Sequence, residues 1–175
     1  MPSAKSAKKS PSDRGVRAAQ VEDGEAKLES FFAKYTPEIA AQAREIRQEM
    51  RKLYPMALEL VYDNYNALAI GFGPTERTSE AIFSIALFPR WVSLFFLQAK
   101  GLPDPDRLLK GSGNVARHIV VSSVAMLKEP AVRALMQNAD ALAKVPFGAG
   151  SEHRLIIKSI SKKQKPRRPA TTLAP

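Results

Sequence analysis

Residues 101–118, GLPDPDRLLKGSGNVARH, bring glycines, a lysine, a serine, an arginine and a histidine together, the material of a phosphate-binding loop. A Walker-type loop needs Gly-Lys-Ser/Thr in that order, so that backbone amides and the lysine converge on the phosphates where a helix starts. Here the order is Lys110, Gly111, Ser112, and the residues that follow alternate like a strand. A structural account explains more of the stretch. Asp104 caps, Pro105 takes a first helical position, Leu108 and Leu109 anchor a single turn, and Gly111 supplies a left-handed exit before GSGN leads into ARHIVV. What phosphate chemistry remains is an anion nest of the Ser112 and Gly113 amides with Lys110 and Arg117, next to His118.

The other concentration of reactive side chains is VYDNYN, residues 61–66, which sets Tyr62 and Tyr65 around Asp63 and Asn64. Asp-Asn is ordinary turn chemistry, because both side chains bond nearby backbone. The alternative is a small-ligand cleft lined by Tyr62, Asp63, Tyr65 and Trp91. His118 and His153 have no partner at ligand spacing and no cysteine to complete a tetrahedral zinc site. Asp104 and Asp106 lack the regular alternating acids of a calcium loop, and no G-x-S-x-G elbow activates Ser122 or Ser123. No catalytic residue is nominated, and the reading leans away from an enzyme.

These residues need a scaffold, and the composition bounds it. A chain of 175 residues with 45% hydrophobic content supports one domain with a core of ordinary size. The absence of cysteine suits a reducing cytoplasm. The N-terminal lysines are followed by no apolar run, so no secretory signal is read. The longest apolar tract, AIFSIALFPRWVSLFFL, is broken by Pro89 and Arg90 and alternates like two strands, so no membrane span is expected either. The formal charge of +10 is uneven: residues 1–20 carry +4, residues 153–175 carry +7, and the rest is −1. The expectation is a near-neutral domain over 21–160 with disordered basic tails at 1–20 and 161–175. Such tails keep a protein soluble, or touch nucleic acid by counterion release without sequence preference.

Within the domain, EAKLESFFAK (25–34) fits a short helix. TPEIAAQAREIRQEMRKLYP fits a long one, with Thr36 as N-cap, Pro37 at the first position and Ile39, Ala43, Ile46, Met50 and Leu53 as one apolar stripe. The period then drops to two. Strands are expected at 58–62, 67–72, 81–88, 91–97 and 117–121, with HRLIIKSIS as a possible last one. Two of them are bulky on one face (Leu68, Ile70, Phe72; Phe83, Ile85, Leu87) and small on the other (Ala67, Ala69, Gly71; Ser84, Ala86). Small faces admit closely packed helices or floor a concavity. Close helix packing is the expectation here. EPAVRALMQNADALAK supplies a further helix. The fold class is α+β: an antiparallel sheet of about five strands packed by N- and C-terminal helices.

The order of these elements, with LYPMALE, VYDNYNALAIGF, IFSIALFPRWVSLFF, GLPDPDRLLKGSGNVARHIVV and PAVRALMQNA, resembles the YdhG-like family of small bacterial domains over residues 36–140. The resemblance implies a compact antiparallel sheet packed by helices, with no assigned function. Some members have been likened to frataxin, an iron chaperone that binds metal on an acidic ridge. This chain departs from that pattern, because Glu38, Glu45 and Glu49 are interspersed with Arg44, Arg47, Arg51 and Lys52. Glu22, Asp23, Glu25 and Glu29 are the denser carboxylates for any metal handling. The cofactor is left unknown, and the partner is expected to be a small ligand or protein, or nucleic acid through the tails, with no membrane.

Overall fold

A computed structural model describes residues 11–148 and 152–171, residues 11–18 and Val21 by their backbone alone. Residues 1–10 and 172–175, parts of the two expected tails, lie outside the described residues. The described residues form an α+β fold of three helices and six strands: α1 (Pro11–Phe32), α2 (Pro37–Leu53), β1 (Leu58–Asp63), β2 (Leu68–Gly73), β3 (Phe83–Leu87), β4 (Val92–Phe96), β5 (Arg117–Val121), α3 (Pro130–Ala141) and β6 (Leu155–Ile160). None of these helices is long and apolar enough to cross a membrane.

Capping starts α2 as the sequence leads one to expect. The Thr36 hydroxyl accepts from the Ile39 N–H, Pro37 occupies the first turn, and Ile39, Ala43, Ile46 and Met50 are buried along one stripe. In contrast, α1 starts well before the expected residue 25 and takes in residues 11–20 of the expected N-terminal tail. Its last turns bury Leu28, Phe31 and Phe32. Gly24 lets the helix cross close over β6, since a Cβ there would stand 2.9 Å from Leu155 Cδ2.

The strands run in the order β5-β4-β3-β2-β1-β6. β1 to β5 form an antiparallel meander, and β6 returns after α3 to pair parallel with β1. Register then sorts the side chains into rows. Leu68, Leu87, Val92 and Val121 share one row; Ile70, Ile85, Leu94 and Ile119 share the next; Phe72, Phe83 and Phe96 share a third. All are buried, with Val132, Leu135, Met136 and Ala139 of α3 and the stripe of α2 in the same core. Each such side chain contributes roughly 1.5–3 kcal/mol by leaving water.

The opposite face carries Ala69, Gly71, Ser84, Ala86 and Ser93 in its central rows. This overturns the expectation that helices pack on the small-residue side. The described helices bury the bulky side, where the covered rows of β2 to β4 are apolar. Among the described residues the small side carries no helical layer.

A second correction concerns the C-terminal tail. Residues 161–171 dock along the end of β1: Ser161 N–H bonds Asp63 O at 2.8 Å, Lys165 N–H bonds Tyr65 O at 2.9 Å, and Arg167 is 5% exposed. Composition read this segment as disordered because it lacks apolar residues. Its anchor is instead a buried ion pair, which composition does not reveal.

Candidate functional site

Two carboxylates on the helix-covered face of β1 organise the charges of the fold. Glu59 is fully buried. It accepts from Arg47 Nε at 2.5 Å and Arg51 Nε at 2.6 Å, and lies 2.6 Å from His153 Nε2. Glu25 of α1 closes the cluster by bonding Arg47 at 2.7 and 2.9 Å and Arg51 at 2.7 Å. Burial would raise the pKa of Glu59, but the hydrogen bonds from His153 and Arg47 and the charges of Arg47 and Arg51 outweigh it and bring it down to about 2. At the other end of the strand Asp63, also fully buried, pairs with Lys34 at 2.5 Å and with Arg167 at 2.9 Å. Burial pushes its pKa up, and the hydrogen bonds from Lys34, Gln164 and Arg167 hold it below the usual carboxylate range. Both acids staple helices and tail to the sheet, and neither faces a cavity.

The same commitment takes up three of the acids considered for metal. Glu25 belongs to the Arg47–Arg51 cluster, Glu29 makes a bidentate pair with Arg44, and Glu49 pairs with Arg133 at 3.0 Å. Among the described residues no group of three or more His, Asp or Glu side chains is gathered as a metal ligand set.

The residues singled out from VYDNYN and its surroundings separate. Tyr62 projects from the small-residue face, but its hydroxyl meets Thr78 of the β2–β3 connection. Asp63 turns to the helix side. Tyr65 is 50% exposed, with the Lys165 ammonium 5.5 Å from its ring centre. Trp91, 43% exposed, stacks on Phe88 at 5.0 Å. Of the four, Trp91 alone lines the main cavity.

The phosphate-loop residues separate too. The expected helical turn does not form: Pro105 and Asp106 make a tight turn closed by the Arg107 N–H on Asp104 O, with Arg107 at φ +54, the Asp104 carboxylate accepts from the Leu108 and Leu109 N–H groups at 2.9 Å, and Gly111 sits at φ +102. Arg117 pairs with Phe96 on the helix side and donates to Leu109 O, whereas Lys110 bridges to His118 on the open side. The two cations of the supposed nest thus lie on opposite faces, and Ser112 and Gly113 are exposed between them. His118 stacks on Phe95 at 4.9 Å, and burial together with the charge of Lys110 lowers its pKa.

What the fold builds instead is a groove of about 720 Å³ on the open face. Its floor is Ala69, Ser84 and Ala86, its walls Phe88, Trp91, Phe95 and Leu97, and its rim Asn64, Asn66, Lys165 and Pro166. The floor follows from register: Ala69 pairs with Ala86, and Gly71 with Ser84. Lysine and proline enter because the docked tail passes the β1–β2 turn. Beside Ala86 across the β3–β4 ladder lies Ser93, 1% exposed, whose hydroxyl has no hydrogen-bond partner among the described residues. Sequence reasoning found Trp91 and the small-residue stripe but not Phe88, Phe95 or Lys165. Strand alternation through Phe88, Trp91 and Phe95 was the available signal for the two rings; for Lys165 there was none.

A second hollow, about 640 Å³, lies where α1 crosses β6. Of its polar walls His153 is engaged by Glu59 and Arg154 by Glu76, and Glu22 and Asp23 line it from α1. Comparison with family models, curated proteins and solved structures finds no match for this chain.

Proposed function

We propose that this chain is a cytoplasmic YdhG-like domain protein that works as a non-enzymatic binding module, with the open sheet face as its recognition surface. The observation that carries the reading is the groove over Ala69, Ser84 and Ala86, walled by Phe88, Trp91 and Phe95. A floor without side-chain bulk and walls of aromatic carbon accept a flat apolar group, and the few polar atoms at the rim orient it. The groove's lining contains no aspartate, glutamate or histidine, which favours binding over chemistry.

The test uses the chain's single tryptophan, Trp91. An anilinonaphthalene sulfonate dye seated in the groove is expected to take up energy from Trp91. Ala69→Leu, which raises the floor, is expected to abolish that transfer while leaving the melting temperature within a few degrees. Unchanged transfer in the Ala69→Leu protein would contradict the reading.

A further inference from the structure

The groove opens toward one end of the sheet, and that end is positive. The segments gathered there are the β1–β2 turn (64–67), the β3–β4 hairpin (88–91), the exit of β5 (122–123) and the docked tail (161–171). Together they contain Arg90, Lys162, Lys163, Lys165, Arg167 and Arg168, and no aspartate or glutamate. Arg167 is engaged by Asp63, and Arg168 bonds the carbonyls of Ala33 and Lys34. Arg90, Lys162, Lys163 and Lys165 remain exposed. Lys110 adds a fifth cation at the β5 side of the same face.

Inside this border the open face presents ring surfaces in two stacks, Phe88 on Trp91 at 22° and Phe95 on His118 at 28°. The unpartnered Ser93 hydroxyl projects from the same face between them. Aromatic platforms beside a cationic track are what unpaired bases joined by phosphates require: each base has a π-face to stack, and each linkage carries one negative charge. A duplex hides its base faces, and a membrane needs a broad set of apolar groups that protrude, whereas the floor of Ala69, Ser84 and Ala86 is recessed and, of the four wall residues, Trp91 alone is exposed.

We propose that the open face binds single-stranded nucleic acid, with bases stacked on Trp91 and Phe95 and the phosphates running along Arg90, Lys162, Lys163 and Lys165. This rests on the groove reading above and names its occupant. Lys165 lines the groove, and Arg90, Lys162 and Lys163 lie at the same end of the sheet, so binding does not depend on residues 1–10.

Full-length protein is titrated at low ionic strength with a thymidine oligonucleotide of about a dozen residues. Trp91 emission is expected to be quenched saturably. The logarithm of the affinity is expected to fall with that of salt at a slope of about −2 to −3, for three or four phosphates at about 0.7 each. By anisotropy of a labelled strand, Phe95→Leu is expected to weaken binding about tenfold. Arg90→Gln with Lys165→Gln is expected to weaken it similarly and to reduce the slope by about one. Lys5→Gln, Lys8→Gln and Lys9→Gln together are expected to leave the quenching in place. Equal affinity for a duplex or a mononucleotide, or binding without any change in Trp91 emission, would overturn the proposal. If the strand fails to perturb Trp91 while the dye still does, the occupant is wrong and the groove stands; if neither perturbs it, both fall.

Discussion

The two faces of one sheet obey opposite rules. On the helix-covered face the rows from β2 to β4 are Leu, Ile, Val and Phe, each fully buried, and even the charges there, Glu59 and Asp63, are enclosed and paired. On the open face the same strands place Ala69, Gly71, Ser84 and Ala86, with larger rings only at the margins. A face that must hold three helices uses side-chain volume, because dispersion and apolar burial scale with contact. A face that must receive something transient leaves the volume out. The difference shows which half of the molecule sets stability and which half is free for recognition.

Substitutions sharpen that contrast, and the largest effect belongs to the covered face. Glu59→Ala takes from buried Arg47 one of its two carboxylate partners and from Arg51 and His153 the acid they share, and is expected to lower the unfolding free energy by about 3 kcal/mol in urea titration. The same cluster sets the acid response. The folded pKa of Glu59, about 2, lies below its ordinary value of 4.5, so its stabilisation is present in full above about pH 4.5 and is lost as pH falls toward 2. Melting followed from pH 6 to pH 2.5 should show this loss, and Glu59→Gln should flatten it.

Next comes the docked tail. Arg167→Ala leaves buried Asp63 with Lys34 and Gln164 and is expected to cost about 2–3 kcal/mol, where a dispensable tail would cost nothing. Tyr35→Phe follows. The Tyr35 hydroxyl, its pKa pushed up to about 12 by burial, donates to Leu87 O at 3.0 Å and accepts from Leu68 N–H at 2.9 Å, tying the α1–α2 corner to β2 and β3. Its loss is expected to cost about 1–2 kcal/mol. The smallest effect belongs to the open face: Ser84→Ala is expected to change stability by no more than about 0.5 kcal/mol. A large loss there would mean that the open face also holds the fold together.

Local rules made most of the scaffold legible. The Thr36–Pro37 start of α2, the alternation of β1 to β5 and the Pro130 start of α3 were all readable, because each depends on neighbours in sequence. What stayed hidden depends on partners far along the chain. The extension of α1 back to Pro11 runs through a polar stretch without apolar periodicity, and Arg167 meets Asp63 across 104 positions. The site was half legible for the same reason. Alternation disclosed a small-residue face and Trp91 stood out as an aromatic, but which face the helices would choose is a property of the whole assembly. The choice moved Asp63 away from the cleft and left Trp91 in it.

Chemical-shift mapping on nitrogen-15-labelled protein, titrated with the thymidine oligonucleotide, tests the role of the open face most directly. The amide shifts are expected to gather on Ala69, Ser84, Ala86, the 88–95 hairpin and residues 162–165, leaving α2 and α3 still. Shifts centred on α2 and α3, or confined to the N-terminal lysines, would contradict it.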